Sequence, residues 1–297
     1  MANNILIRSL LHPAQAVKSL VAILEQIGTR QTQLEARIEL LSKNIEKLHE
    51  AQMARSLDVM LKLEQLAPSG KDFAGRLETR HPVAVYSDDH KFPRGTANDN
   101  TRSLRFVRKV EEALGPNLKV MDLGCSGGGL VLNFIQRGHF AMGLEGSDYS
   151  LKNQRAEWAL LRKNLMTCDI TKPFALLDEH GQPLQFDLIT AWEVLEHIQV
   201  ADLAVLLANI AKHLAPQGRF MASVATFPDK DPATGAIWHV TLETREWWWE
   251  FFRKNGFLVD EGMKFEARDF PRGGGQPGDW DALAQPHMGF HVIVKRA

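Results

Sequence analysis

The chain has 297 residues, of which 44% are hydrophobic and 24% charged, and its formal net charge is −1. This composition is typical of a globular protein, and the near-zero charge argues against nucleic acid as a partner. With only two cysteines and no apolar run of the roughly 18 residues that a membrane span needs, the sequence predicts a cytoplasmic protein without a disulfide framework or a membrane span.

The first third of the sequence carries a heptad pattern. Apolar residues alternate at spacings of three and four over 17–48, and Gln31 is the only polar residue in the series. A stripe two positions in seven wide is typical of a helix that pairs with another helix. Ile38 at position a and Leu34 at position d favour a parallel two-stranded coil. The pattern predicts a helical coiled coil within 1–66 that forms a homo-oligomer; the alternative is a helix packed on its own domain.

Beyond this helix the sequence divides into two further parts. Residues 67–100 are rich in turn-forming residues and are interpreted as a linker or cap segment. Over 101–297, strand-like and helix-like stretches alternate, which predicts an α/β domain with a parallel sheet and helices on both faces. The predicted strands are 120–123, 140–144, 164–168, 186–191, 218–225, 257–265 and 287–295. The predicted helices are 101–114, 130–136, 151–161, 202–213 and 245–255.

Polar residues and glycines follow three of the predicted strands. The first strand ends on Asp122 and enters a loop that contains Gly124 and Gly128, where the absence of a Cβ allows the backbone to approach a ligand closely. The second ends on Glu145, which could accept hydrogen bonds from both hydroxyls of a ribose. The third ends on Asp169-Ile170, where a carboxylate and an amide could meet an adenine edge. Because ligands of parallel sheets bind at the carboxyl ends of the strands, the sequence predicts one nucleotide-like site there.

Residues from about 101 to 296 resemble the class I S-adenosylmethionine-dependent methyltransferases. In that family a loop after an acidic strand end carries glycines at alternate positions, which here are Gly124, Ser126 and Gly128. Ser126 departs from the usual middle glycine. The resemblance implies a Rossmann-like seven-stranded sheet whose last strand is antiparallel, with S-adenosyl-L-methionine as the cofactor. The cofactor-binding residues that it implies are Asp122, Gly124, Ser126, Gly128, Glu145, Asp169, Ile170, Trp192 and Arg105, with Arg102 as the other option for the arginine.

The stretch after the fourth strand carries the candidate catalytic groups. If the acceptor is a hydroxyl, a base or a metal must help to remove its proton. Glu193, Glu196 and His197 have the spacing of one helical face, and they resemble the E-x-x-E-H stretch of the ubiquinone-pathway O-methyltransferases, which has been linked to a divalent cation. Plain hydrogen bonding explains the same residue types, so no metal is predicted. His197 is predicted as the general base, with Glu193 beside it and His239 as the second candidate.

The acceptor class follows from weaker signals. The fourth strand ends in Ala191-Trp192-Glu193-Val194 rather than in the D/N-P-P-Y/F stretch of enzymes that methylate nucleic-acid bases. Residues 81–100 resemble stretches in bacterial methyltransferases associated with sugars and surface polysaccharides. The predicted function is therefore methyl transfer to a hydroxyl of a carbohydrate or related small metabolite. The alternatives are an O-methyltransferase of a quinone or aromatic acceptor, and a coiled-coil scaffold with a nucleotide-binding but inactive domain.

Overall fold

A computed structural model of the chain describes residues 13–66, 72–273, 282 and 284–297. The chain divides into two compact units, the first ending at Pro68 and the second beginning at Ser69. No helix among these described residues combines the length and the apolar character needed to cross a membrane. The composition of the glycine-rich insert 270–280 suggests a flap on the acceptor side, and most of this insert lies outside the described residues.

The first unit contains one long helix, α1 (Pro13–Leu66), of 54 residues. Its predicted existence is confirmed. The apolar stripe of the heptad pattern is exposed in the chain, with Leu34 58% and Ile38 62% accessible. Pairing of this stripe with a second copy of the helix remains a prediction.

The described strands of the second unit are β1 (Arg76–Thr79), β2 (Lys119–Leu123), β3 (Phe140–Glu145), β4 (Leu165–Thr167), β5 (Phe174–Leu177), β6 (Phe186–Ala191), β7 (Leu214–Ala225), β8 (Phe257–Val259) and β9 (Gly289–Arg296). Seven of them form one sheet in the order β4-β3-β2-β6-β7-β9-β8. The neighbouring strands β4, β3, β2, β6 and β7 pair in parallel, and β9 is antiparallel to both of its neighbours, β7 and β8. The predicted Rossmann-like sheet with an antiparallel last strand is confirmed.

Helices cover both faces of this sheet. The described helices of the second unit are α2 (Asp88–Lys91), α3 (Gly95–Asn98), α4 (Leu104–Leu114), α5 (Gly129–Gln136), α6 (Tyr149–Lys152), α7 (Val200–His213) and α8 (Arg245–Lys254). One hydrophobic cluster includes side chains of α7 and α8, and a second includes side chains of α4 and α5. In α8, Trp248 is 1% exposed and Trp249 38%, which agrees with the aromatic stripe of this helix being core.

Two predicted elements are shorter than expected. The predicted helix 151–161 is replaced by α6 and a separate 3₁₀ turn, Ala156–Ala159. Gln154 and Ala156 have φ angles of +47° and +48°, and left-handed residues cannot continue a right-handed helix. The predicted strand 257–265 ends at Val259, beyond which the Asp260 carboxylate accepts hydrogen bonds from Arg219 and from the backbone of the following turn.

A second, two-stranded sheet was not predicted. Strands β1 and β5 pair antiparallel, with Arg76 opposite Leu177 and Thr79 opposite Phe174. This pairing joins part of the predicted linker to the chain that follows β4. Residues 72–100 therefore pack as part of the second unit, and α2 and α3 lie within them.

Candidate functional site

The loop between β2 and α5 depends on glycine at two positions. Gly124 has φ +68° and Gly128 has φ +86°, a left-handed conformation that side-chain-bearing residues rarely adopt. A Cβ on Gly124 would lie 2.5 Å from a methyl carbon of Val194, and one on Gly128 would lie 2.6 Å from a methyl carbon of Leu165. Neither glycine can be replaced without moving a neighbour, so the path of the loop is fixed by sequence.

Ser126, between these two glycines, is also left-handed, with φ +46°. Its Oγ lies 2.7 Å from the carbonyl oxygen of Asp99 and 3.0 Å from that of Gly95, and its single hydroxyl hydrogen is shared between these two acceptors. Its backbone N–H donates to Glu145 Oε2 at 2.7 Å. A left-handed conformation costs a residue with a Cβ roughly 1–2 kcal/mol, and the hydroxyl bonds offset part of this cost. The serine that stands where the family has a glycine thus links the loop to residues 95–99 by hydrogen bonds.

Two substitutions of Ser126 should differ in their effect on the stability of the protein. Ser126→Ala loses the hydroxyl bonds but keeps a Cβ, so its free energy of unfolding should fall by about 1 kcal/mol. Ser126→Gly loses the same bonds but relieves the left-handed strain, and should stay within about 0.5 kcal/mol of the unmodified protein. Urea unfolding measures both values. Equal losses in the two variants would contradict the strained backbone.

Two buried acids lie at the ends of β2 and β3. Glu145 is 7% exposed, and its carboxylate accepts hydrogen bonds from the backbone of Ser126 and Ser147. Asp122 is 5% exposed and accepts a hydrogen bond from the Thr190 hydroxyl at 2.6 Å. Burial away from water raises the pKa of each acid to about 7. These carboxyls are therefore placed where a change of ligand or pH alters their ionisation.

The third predicted acid, Asp169, follows the adjacent strand. Cys168 N–H donates to the carbonyl oxygen of Glu145 at 2.9 Å, so the ends of β3 and β4 lie side by side. Asp169 Oδ1 accepts hydrogen bonds from the hydroxyl (2.5 Å) and backbone (3.0 Å) of Thr171. The backbone N–H of Asp169 donates to the carbonyl oxygen of His81 at 2.9 Å. The structure thus brings Glu145 and Asp169 to one edge of the sheet.

Residues 81–103 contact the edge of the sheet at which Glu145 and Asp169 lie. They overlap the predicted linker and are called the cap segment from here on. Ala84 N–H donates to the carbonyl oxygen of Gly146, and Gly129 N–H donates to Asn100 Oδ1, both at 2.8 Å. Arg94 forms a bidentate ion pair with Asp229. These contacts were missed by sequence reasoning, because turn-forming residues show that a chain reverses but not what it reverses against. The cap segment connects the glycine loop to the segment that follows β7.

The two arginine candidates differ in placement. Arg102 forms an ion pair with the buried carboxylate of Glu157, and a Cβ on Gly129 would lie 2.7 Å from Arg102 Cγ. Arg105 is exposed on α4. Arg102, the second option, is therefore the arginine seen in contact with the glycine loop, and the role of Arg105 in binding a ligand remains a prediction.

The last two predicted cofactor contacts are buried. Trp192 packs edge-on against Phe106, with ring centroids 5.0 Å apart, in an aromatic cluster that includes Phe270. The carbonyl oxygen of Ile170 accepts a hydrogen bond from Asn209 at 3.0 Å. Both residues support the site's framework, and direct contact with a ligand remains a prediction for each.

The stretch after β6 is not the helix that its spacing suggested. Glu193 has φ +53°, and only the turn Leu195–His197 is helical, of the 3₁₀ type. The Glu193 backbone N–H donates to the Ser223 hydroxyl at 2.8 Å. Because the backbone bends at Glu193, the three predicted polar side chains do not share a helical face.

Two histidines meet beyond this bend. The rings of His197 and His239 lie 5.0 Å apart between centroids, at an interplanar angle of 83°. His239 Nδ1 lies 2.6 Å from the carbonyl oxygen of Phe227, so Nδ1 carries a proton that it donates to this oxygen. Desolvation of the imidazole, and then the neighbouring His239, lower the pKa of His197 to about 4. Part of the His197 side chain is exposed, but both causes act in the same direction, and the ring is neutral at pH 7.

Glu196 is fully buried beneath these rings, and burial raises its pKa well above the ordinary value. Its Oε1 accepts a hydrogen bond from Ala225 N–H at 3.2 Å, whereas its Oε2 has no hydrogen-bond partner among the described residues. One ligand atom each from Glu196, His197 and His239 lie within 4.8 Å of one another. One carboxyl group and two imidazoles are a donor set suited to a transition metal ion. The geometry would accept a cation, although the sequence predicted none.

Comparison with known proteins places this geometry in a family. A family model described as a methyltransferase domain matches residues 95–265. The ubiquinone biosynthesis O-methyltransferase of Idiomarina loihiensis is 34% identical over 105 residues, 35% of this chain and 41% of that protein. The chain thus matches only about two fifths of the length of the curated relatives.

Two solved structures have lower similarity. A TehB-like methyltransferase of Corynebacterium glutamicum has a TM-score of 0.44 and 15% identity, covering 68% of this chain and 92% of that one. The glycopeptide N-methyltransferase MtfA, complexed with S-adenosyl-L-methionine, has a TM-score of 0.44 and 18% identity, covering 66% and 95%. The family match extends over the glycine loop, both buried acids and the two histidines. The chain belongs to the methyltransferase-domain family, whose cofactor is S-adenosyl-L-methionine.

Proposed function

We propose that the protein transfers a methyl group from S-adenosyl-L-methionine to a hydroxyl of a carbohydrate or related small metabolite, with His197 as the general base. The observation that carries this proposal is the pair of histidine rings, His197 and His239, next to the glycine loop. The Val194 side chain packs against Gly124, and the turn that bears His197 follows it directly. The donor loop and the candidate base are therefore neighbours.

The chemistry requires little more than alignment and one proton acceptor. The methyl carbon of the donor is activated by the sulfonium, so the hydroxyl oxygen forms the new bond as the carbon–sulfur bond breaks. The sulfonium becomes a neutral thioether, and the hydroxyl proton passes to a nitrogen of His197. His239, oriented by the Phe227 carbonyl, packs edge-on against this ring and fixes its position. His239 is thus a positioning residue in this scheme.

The polar groups around the histidines favour a sugar-like acceptor. The guanidinium of Arg94 lies over the ring of Trp238 at 4.5 Å and pairs with Asp229. The carbonyl oxygen of Asp229 accepts hydrogen bonds from the backbone N–H groups of Trp238 at 2.8 Å and His239 at 3.4 Å, which places the ion pair beside the second histidine. Charged and hydrogen-bonding groups of this kind match an acceptor that carries several hydroxyls.

The runner-up is an O-methyltransferase of a quinone or other aromatic acceptor. The curated relatives, which are ubiquinone biosynthesis O-methyltransferases, favour it. The tryptophans of helix α8 could offer stacking surface to an aromatic acceptor, but the structure gives this role little support. Trp248 is buried, and Trp247 stacks on Phe251 at a centroid distance of 5.0 Å, so these rings are occupied by the protein itself.

Incubation of the full chain with donor and a panel of sugars, quinones and peptides tests the proposal by mass spectrometry. We expect one product heavier by about one methyl group, with the methyl on a sugar hydroxyl, both with and without a metal chelator. Methylation of quinones alone would establish the runner-up. Loss of turnover in chelator, restored by a divalent cation, would instead assign Glu196, His197 and His239 to a metal. Glu145→Ala, which should bind the donor at least tenfold more weakly, serves as the control at a donor concentration below saturation.

A further inference from the structure

The long helix α1 presents an exposed apolar stripe. Side chains at the a and d positions of the heptad are more than half exposed: Val17 59%, Leu20 60%, Leu24 65%, Ile27 54%, Leu34 58%, Ile38 62%, Leu41 60% and Ile45 64%. A contiguous exposed stripe of this kind marks an interaction surface. Its two-in-seven width fits the seam of a second helix.

The charged residues beside the seam select the direction of that second helix. Positions g carry Arg30 and Arg37, and position e carries Glu35. In a parallel pair, each g residue faces the e residue five positions later, so Arg30 meets Glu35 of the other helix. In an antiparallel pair, g faces g, and Arg30 would meet Arg37. Attraction therefore occurs only in the parallel arrangement.

The one polar residue of the heptad seam, Gln31, specifies how the two helices align along their length. Gln31 occupies position a between Leu24 and Ile38, and its side-chain amide donates to Glu35 Oε1 at 3.0 Å within the same helix. A single polar residue in an apolar seam is tolerated when it faces its own copy, which fixes the alignment at a cost in stability. In-register pairing places the two Gln31 side chains, and both Arg30–Glu35 pairs, together.

We propose that α1 joins two copies of this protein through a parallel, in-register, two-stranded coiled coil. The seam comprises the a and d side chains of 17–45, Gln31 sets the register, and reciprocal Arg30–Glu35 pairs set the direction. This inference is independent of the methyl-transfer proposal.

The molar mass of the full chain, measured by light scattering, tests the seam. We expect twice the chain mass for the unmodified protein, and the mass of one chain for Leu34→Glu. The matched control is Leu40→Glu: Leu40 is on the same helix and is 60% exposed, but it lies at position c, off the seam, and its variant should remain dimeric. A single-chain mass for the unmodified protein, a threefold mass, or equal dissociation of both variants would overturn the proposal.

Direction and register need separate measurements. Val17→Cys should cross-link rapidly under mild oxidation, because parallel helices place the two positions side by side, whereas antiparallel helices would separate them by roughly 47 Å. The native Cys125 and Cys168 are buried and should contribute little background. Arg30→Glu or Glu35→Arg should each raise the dimer dissociation constant roughly two- to tenfold, and the double swap should restore it. Absent cross-linking, or tighter pairing of Arg30→Glu, would contradict parallel pairing.

Discussion

Glu145→Ala should weaken the binding of S-adenosyl-L-methionine at least tenfold, as measured by calorimetric titration. The carboxylate lies at the end of β3, beside the glycine loop, where it can accept hydrogen bonds from both ribose hydroxyls. Hydrogen bonds to charged groups contribute about 1.5–3 kcal/mol each, and 1.4 kcal/mol is a factor of ten in affinity. An unchanged affinity would remove Glu145 from the ligand site.

A matched control separates ligand binding from loop structure. Asp187 also accepts a hydrogen bond from a backbone N–H, that of Lys119 at 2.8 Å, but at the opposite end of β2. Asp187→Ala should therefore bind the donor as tightly as the unmodified protein. If both variants lose affinity equally, the effect of Glu145→Ala arises from the sheet rather than from ribose recognition.

The same residue should make donor binding depend on pH. Burial raises the pKa of Glu145 to about 7 in the ligand-free protein, and the ribose hydroxyls donate best to the ionised form. Affinity should therefore fall as pH drops from 8 to 6, and Glu145→Gln should flatten this dependence. The stability of the fold should depend on pH in the opposite direction, because the Glu145 carboxyl holds its proton more tightly in the folded state than in the unfolded chain. This group therefore favours folding most at low pH, and its contribution is lost as pH rises through 7.

His197→Ala should lower kcat about 100-fold or more while leaving donor affinity unchanged, because general-base catalysis typically contributes factors of this size. Turnover at saturating donor measures kcat, and titration measures donor affinity. The control is His180→Ala, at an exposed position in the turn before β6, which should keep full turnover. A loss below threefold would transfer the role to His239 or to simple alignment of the reactants.

The pH profile gives an independent check on the base. Because the pKa of His197 is lowered to about 4, the ring stays unprotonated well below the ordinary histidine range. At saturating donor, kcat should hold as pH falls through 6.5 and decline only at lower pH. A decline centred near 6.5 would indicate a fully solvated imidazole and contradict the lowered pKa of His197.

The sheet and the strand-end acids could be predicted because they depend on local signals. Short apolar runs that end in an acid or a glycine, as at Asp122 and Gly124, mark a buried strand that opens into a loop. Parallel pairing then brings Glu145 and Asp169 to the same edge. The family match to residues 95–265 supports the same interpretation.

Other features could not be predicted because they depend on distant partners or on backbone conformation. The four residues of β1 are too short for an alternating pattern, and their partner β5 lies about 100 positions later. The spacing of Glu193 and His197 suggested a helix, but the left-handed backbone at Glu193 prevents it. Ser126 gave no sign that its hydroxyl binds the cap segment. Side-chain periodicity reports burial, and it is silent on single residues that reverse the backbone.

A crystal structure of the full chain with S-adenosyl-L-homocysteine would show directly whether the carboxyl ends of β2, β3 and β4 form one adenosyl site. We predict both ribose hydroxyl oxygens about 2.5–3.0 Å from the Glu145 carboxylate and the adenine ring beside Asp169 and Ile170. Ligand density at another part of the sheet, or a ribose that makes no contact with Glu145, would contradict the claim.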